Sequence, residues 1–442
     1  MSRGRAVLLG VAVVILAAAC GLAVLVLRDP QPPLDASLTA RQPNVDNGAC
    51  VARLADCVAC HTTAGGKPFA GGEPFPTPVG TVYSTNITPD RRTGIGDYDL
   101  KDFIRLMRFG ISRDGRRVYP AMPYTAYARA TDADLQDLFA FLRVKVDAVE
   151  QPNKPNAAPW PLNIRWPIAF WNAAFHDSRS FLSDPSRDAA WNRGAYLVQG
   201  FGHCGTCHTP RGIFFQEKDL TGRTDLFVSG STLDNSSPIN LRGNQADGLG
   251  RWRNNDVAEV LKTGRSALAA VHGPMTLVVA DSTQFVTEDD LSAMAVYLKS
   301  LSPAPSEGRA TFQESDDTYR SIMAGDRNDA GARIYMDSCA ACHRLDGQGY
   351  DHTFPRLAGN PSVLAANTDS LIAIILGGSR LPSTAAAPSA LAMPPFGWRY
   401  NDEDIAALAT FVRGSWGNGG SAVTSTEVAA IRKSLHLGGT QR

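Results

Sequence analysis

Cys204-Gly-Thr-Cys-His208 decides how this chain is read, because Cys57-Val-Ala-Cys-His61 and Cys339-Ala-Ala-Cys-His343 repeat it. Six of the eight cysteines fall into these three pairs, leaving Cys20 and Cys50 outside. A secreted disulfide framework has no reason to place a histidine directly after every pair, so disulfides account poorly for the six.

Working outward from each motif, the chain shows three copies of one pattern. Each opens with a short helical segment that carries the motif: Cys50–His61, Gly194–His208 and Gly331–His343. Next comes an apolar helix closed by glycine, over Leu100–Gly110, Asp256–Gly264 and Ser370–Gly377; glycine there fits a left-handed C-cap. A methionine beside proline follows: Met122-Pro123, Pro274-Met275 and Met393-Pro394. The last helix of each copy starts at Thr131-Asp-Ala-Asp134, Thr287-Glu-Asp-Asp290 or Asn401-Asp-Glu-Asp404. Those starts offer a side-chain oxygen to orphan amides and carboxylates to the positive end of the helix dipole. Leu135, Leu138, Phe139 and Leu142 then recur at helical spacing.

Cys-x-x-Cys-His is the attachment signature of a c-type haem. Two cysteines on one side of a helical turn can each form a thioether with a haem vinyl group, and the following imidazole lies under the iron. Cys57, Cys60, Cys204, Cys207, Cys339 and Cys342 are therefore expected to hold three haems covalently, with His61, His208 and His343 as iron ligands. A zinc or redox Cys-x-x-Cys with an incidental histidine is the competing reading, and threefold repetition at equivalent points weighs against it. Met122, Met275 and Met393 follow their motifs by 62, 68 and 51 residues (122−60, 275−207, 393−342), an order that suits Met/His iron. A thioether ligand raises the potential and leaves no open position for a substrate. His272, three residues before Met275, is an equally good ligand type and leaves the second site open. Met107, Met294, Met323 and Met336 read as core packing on helical faces. Cys50 reads as a small buried residue, His203 as solvated, and His176, His352 and His436 as uninvolved. Arg380 and Arg399 flank the third methionine and read as charged surface.

The 442 residues suit about three domains of ordinary size. Charges balance, 43 basic against 43 acidic, which gives no footprint for nucleic acid. No dinucleotide fingerprint, P-loop or HExxH motif is present. From Ala6 to Leu27 the sequence is apolar without a charge; at 1.5 Å per residue that run is about 30 Å long, enough to cross a bilayer core. Arg3 and Arg5 would stay in the cytoplasm and export the rest. A retained anchor is the favoured reading, ahead of a cleaved signal peptide and of a lipoprotein site at Leu16-Ala-Ala-Ala-Cys20. Residues 31–47 read as a tether (Pro30 to Pro43 being proline-bearing), 151–185 as an extended connector packing Trp160, Trp166 and Trp171 on a domain, 303–324 as a surface linker and 419–442 as a loosely held tail.

Several stretches resemble a known family. They are Asp56–Thr62, Gly65–Gly72, Tyr83–Asp90, Tyr119–Tyr124, Trp191–Leu197, Gly202–Arg211 and Met393–Trp398. They are similar to the triple-haem cytochrome c subunit of bacterial membrane-bound dehydrogenases of the alcohol, gluconate, fructose, aldehyde or nicotinate type, and the match runs from about Gly48 to Trp416. The resemblance implies a mainly α fold. Three consecutive class I cytochrome c-like domains, 48–150, 186–302 and 325–418, would stand behind an N-terminal transmembrane helix within 1–30. It further implies an electron-transfer subunit with no catalytic residues of its own, sited on the cytoplasmic membrane with its haem domains in the periplasm. Electrons would come from a catalytic subunit of flavin, PQQ or molybdenum type and leave to ubiquinone or a terminal oxidase. Some family members are cleaved at the N-terminus and attach through C-terminal hydrophobic surface, whereas here the tail is polar. A haem peroxidase, which needs a vacant iron position, and an oxidase-associated cytochrome are the alternatives. The partner's substrate is not encoded in this chain.

Overall fold

The computed structural model describes residues 3–28, 30–32, 38, 40–78, 80–233, 236–305 and 308–436. The side chains of 3–11, 25 and 26 lie outside that description, and with them those of Arg3 and Arg5. So do much of the expected tether (33–37 and 39) and the last residues of the tail. The chain divides into two compact units, one of residues 1–51 and 60–181, the other of 52–59 and 182–442.

Helices dominate both units; every strand among the described residues is two residues long, paired in three small antiparallel ribbons. The three expected closing helices begin where their caps predict. Thr131 Oγ1 accepts from the Asp134 amide at 3.1 Å, Thr287 Oγ1 from Asp290 at 3.2 Å, and Asn401 Oδ1 from Asp404 at 2.8 Å. The helices then run Asp132–Val144, Glu288–Ser300 and Asp402–Gly414. Two of the middle helices, Leu100–Phe109 and Asn254–Thr263, end on Gly110 (φ 64°) and Gly264 (φ 80°), whose left-handed backbone only glycine adopts without strain. The third spans Asp369–Gly377 and ends on Gly378.

In the first unit, Leu100–Phe109 packs on Asp132–Val144 through Phe103 and Phe139, whose rings stack at 5.0 Å. Arg108, buried, ties the connection between them by donating to the Ala128 and Ala130 carbonyls at 2.7 and 2.8 Å. In the second unit the opening helices Ala189–Gln199 and Ala330–Ser338 cross Glu288–Ser300 and Asp402–Gly414. Each crossing is made possible by a glycine. A β-carbon on Gly194 would stand 2.9 Å from Tyr297 Cβ, and one on Gly331 would stand 2.6 Å from Phe411 Cβ. The same arrangement recurs in the first unit, where Gly48 would meet Phe141 Cβ at 2.8 Å. Backbones approaching this closely leave no room for any larger residue.

Among the described residues no helix is long and apolar enough to cross a membrane; of the N-terminal helix Arg3–Leu27, side chains are described over 12–24 and at 27. Other expectations are corrected. The connector is not wholly extended, since Ile168–Phe175 is a helix, and Trp160 and Trp166 are exposed instead of packed. The linker and tail are structured together. Thr311–Phe312 pairs with Asn418–Gly419, and the helix Ser425–Ser434 buries Val428 and Ile431 against the third core. Cys50 is exposed, because it points away from the packed face of its helix. Met323 is 61 % exposed, whereas Met107 and Met294 are buried as expected.

Candidate functional site

Each Cys-x-x-Cys lies on a single helical turn: Cys57–Cys60, Gly205–His208 with Cys204 as its cap, and Ala340–His343 capped by Cys339. None of the six is joined to another in a disulfide. Burial pushes the Cys204 and Cys339 thiols up to about 12. That environment is the reverse of the one that makes a reactive or metal-binding thiolate. Among the described residues no group of three or more His, Cys, Asp or Glu could hold a metal ion.

The three histidines are held alike, by contacts far along the chain. His61 Nδ1 lies 2.6 Å from the Thr85 carbonyl, His208 Nδ1 is 2.7 Å from that of Ile239, and His343 Nδ1 is 2.8 Å from that of Pro355. A carbonyl only accepts, so each Nδ1 carries the proton and each Nε2 presents a lone pair. Burial lowers all three imidazole pKa values despite the carbonyl partner, favouring the neutral ring that a metal requires. Each histidine is also gripped at its own carbonyl by a glycine amide: Gly71 at 2.7 Å, Gly230 at 2.9 Å and Gly349 at 3.0 Å. All three glycines have positive φ, 74°, 88° and 62°. Each lies against the segment that supplies the Nδ1 partner, so a β-carbon on Gly349 would stand 2.8 Å from Pro355 C. One loop thus fixes the ring's tilt and its tautomer, the orientation a metal-ligating histidine receives from its outer shell.

These backbone partners were not legible as motifs. In two of the three loops a weak signal exists, an asparagine directly after the accepting residue. Asn86 Oδ1 takes the Thr88 amide at 2.9 Å, and Asn240 Oδ1 takes the Arg242 amide at 2.9 Å, each bracing the turn.

The three methionines sit between the middle and closing helices. Met122 occupies a turn in which its amide donates to Tyr119 O and its carbonyl accepts from Tyr124 N. Met275 opens the helix Met275–Asp281. Met393 pairs with Ser379 in a two-residue ribbon and packs on the third core. All three are half-buried. His272 lies near His208; burial, with that neighbour adding to it, pushes it down to about 4, and its Nε2 lies 3.0 Å from Ser362 Oγ.

Other side chains have structural partners of their own. His203 is half-buried, its Nδ1 2.8 Å from the Phe201 carbonyl, and is not the solvated residue expected. His176 is a structural residue, with Nε2 2.6 Å from Arg108 O and its ring edge-on to Tyr124. Arg399 pairs with Asp337 at the surface. Asp56, directly before the first cysteine, is buried with Oδ1 unpartnered. Burial and the facing Asp281 raise it to about 7.

The residues fit a covalently held haem. Each site offers two thiols on one turn and a neutral imidazole with its Nδ1 already committed. Comparison with known proteins points the same way. The cytochrome c family model matches residues 45–144 and 329–416; the motif at 204–208 lies outside both stretches. The chain is 46% identical over 396 residues to the gluconate 2-dehydrogenase cytochrome c subunit of Pantoea cypripedii, covering 88% of this chain and 89% of that one. It is 44% identical to the cytochrome c subunit of the alcohol dehydrogenase (quinone) of Gluconobacter oxydans, over 88% of this chain and 82% of the other. With the fructose dehydrogenase cytochrome subunit of Gluconobacter japonicus it shares 34% identity, over 91% and 85%.

Proposed function

Since the chain belongs to the family of dehydrogenase cytochrome c subunits, we propose that it carries three covalent haems and relays electrons from a catalytic dehydrogenase subunit to a membrane acceptor. The observation that carries this reading is the threefold histidine clamp, in which Thr85, Ile239 and Pro355 each take an Nδ1 proton. A c-type haem held at such a site supplies reversible one-electron chemistry. The chain's own part is to fix it through thioethers, orient the imidazole and exclude water.

Cys57 and Cys60, Cys204 and Cys207, and Cys339 and Cys342 would attach the three groups. His61, His208 and His343 would ligate from one side, and Met122, Met275 and Met393 from the other. His272, three residues before Met275, is the competitor at the second site. Such a ligand set would leave no iron position open to peroxide, so the chain's chemistry would be electron transfer without making or breaking substrate bonds.

The catalytic partner is a flavin, PQQ or molybdenum subunit, and ubiquinone or a terminal oxidase receives the electrons. The Arg3–Leu27 helix anchors the chain in the cytoplasmic membrane with its haem modules in the periplasm. The uncharged run from Ala6 to Leu27 in the sequence supports that placement, and Arg3 and Arg5 supply the positive-inside signal.

The deciding experiment is gentle detergent purification of the native complex, with identification of its companions and a pyridine haemochrome count. Three haems per chain and a co-purifying dehydrogenase are expected. A copper–haem oxidase core in place of a dehydrogenase would overturn the assignment of the partner. Absence of covalent porphyrin would overturn the whole reading.

A further inference from the structure

We propose that residues 160–170 form a surface that lies in the lipid headgroup region of the bilayer, beside the N-terminal helix. This rests on the reading of that helix as a membrane anchor.

The segment Trp160-Pro-Leu-Asn-Ile-Arg-Trp-Pro-Ile-Ala-Phe170 holds apolar side chains outward on a fixed frame. Trp160 is 78% exposed, Leu162 46%, Trp166 57% and Phe170 38%. The frame is not loose. Tyr119 Oη donates to the Leu162 carbonyl at 2.6 Å. Arg165 donates to the Arg117 carbonyl at 3.1 Å and lies 3.8 Å over the Tyr119 ring. Behind it, Ile168 and Ala169 are buried, and Asn172 bridges Tyr124 Oη at 2.6 Å and the Phe109 carbonyl at 3.1 Å. One face of the segment is therefore docked, while the other presents two indoles, a leucine and a phenylalanine to the outside.

Exposed apolar patches of this kind mark interaction surfaces, and three observations select a lipid surface as the occupant. The N-terminal helix Arg3–Leu27 packs directly on the helix Ile168–Phe175, so the patch continues the surface of the candidate anchor. The Arg28 carbonyl, at that helix's exit, accepts from Arg117 at 3.5 Å, which ties the exit point to the same frame. From Gln151 to His176 there is no carboxylate to repel anionic headgroups. Tryptophan belongs at this depth, its ring in the acyl boundary and its N–H toward water. The consequence is positional. Tyr119, which anchors the patch, is three residues from Met122, so the loop carrying the first candidate methionine is held against the bilayer.

The test uses the full haem-loaded chain in phosphatidylcholine/phosphatidylglycerol vesicles containing a phospholipid with a diazirine near the glycerol end of its acyl chain. After irradiation, adducts are mapped by peptide mass spectrometry. Adducts on 160–170 as well as on 3–27 are expected. The double variant Trp160→Ser/Trp166→Ser should lower labelling of 160–170 severalfold and leave that of 3–27 unchanged. Adducts on 3–27 alone would overturn the proposal while keeping the anchor. Adducts on 160–170 without any on 3–27 would instead sink the anchor and keep the surface. Labelling of 160–170 that vanishes once the dehydrogenase complex is reconstituted would give this face to the partner protein and overturn the proposal as well.

Discussion

Gly331 and Phe411 meet where the opening and closing helices of the C-terminal module cross, with space for a hydrogen and nothing larger: a β-carbon at 331 would stand 2.6 Å from Phe411 Cβ. Tyr335, one turn on, sets its ring at a tilt 5.6 Å from that of Phe411 and 5.0 Å from that of Trp416, so the crossing is also the edge of the third core.

Gly331→Val should therefore destabilise the haem-loaded protein by about 1–3 kcal/mol, the usual cost of overpacking a close contact. Gly414→Ala, at a helical position with nothing near its added carbon, should be neutral or slightly stabilising. Denaturant unfolding of the two variants checks the contrast, and equal effects would remove the crossing as a point of tight contact.

Replacing one cysteine pair at a time tests haem attachment. Cys204→Ser with Cys207→Ser is expected to reduce the pyridine haemochrome count from three per chain to two. The pairs at 57/60 and 339/342 should behave alike. A double variant that keeps all three haems would remove that pair from the attachment set.

Met393→Leu should lower the midpoint potential of one haem and slow overall turnover, because a thioether favours reduced iron and leucine offers no ligand. A redox titration of the variant reads this directly. Unchanged midpoints would take Met393 off the ligand list. At the second site, the parallel pair Met275→Leu and His272→Leu separates the two candidates, since only the true ligand should move a potential.

Asp56 supplies a pH dependence with a definite sign. Its carboxyl is held at about 7 in the folded chain against an ordinary 3.8. Between about pH 4 and pH 7 the folded state keeps a proton that the unfolded state has lost. Stability should therefore fall as pH rises through that window, with the full cost, on the order of a few kcal/mol, present above about pH 7. Asp56→Asn removes the titrating group and retains a side chain suited to the positive φ of 52° at this position. The variant should gain stability over the parent at about pH 8 and little at about pH 4. An equal gain at both pH values would show that Asp56 does not titrate in that window.

What the sequence determined by itself was everything governed by short range. The cysteine and histidine spacing, the caps at Thr131, Thr287 and Asn401, and the glycine stops at Gly110 and Gly264 depend on neighbours within a helical turn, so they survive translation into any fold. Tertiary structure alone decided which carbonyl holds each imidazole, since Thr85, Ile239 and Pro355 lie 24, 31 and 12 residues away and act through the backbone, which carries no residue code. It also decided that Gly48, Gly194 and Gly331 are crossing points, that Cys50 and Met323 face outward, and that the polar-looking tail folds back as a helix over Val428 and Ile431. Burial is set by what arrives from elsewhere in the chain, and hydrophobic character constrains that arrival without naming the partner.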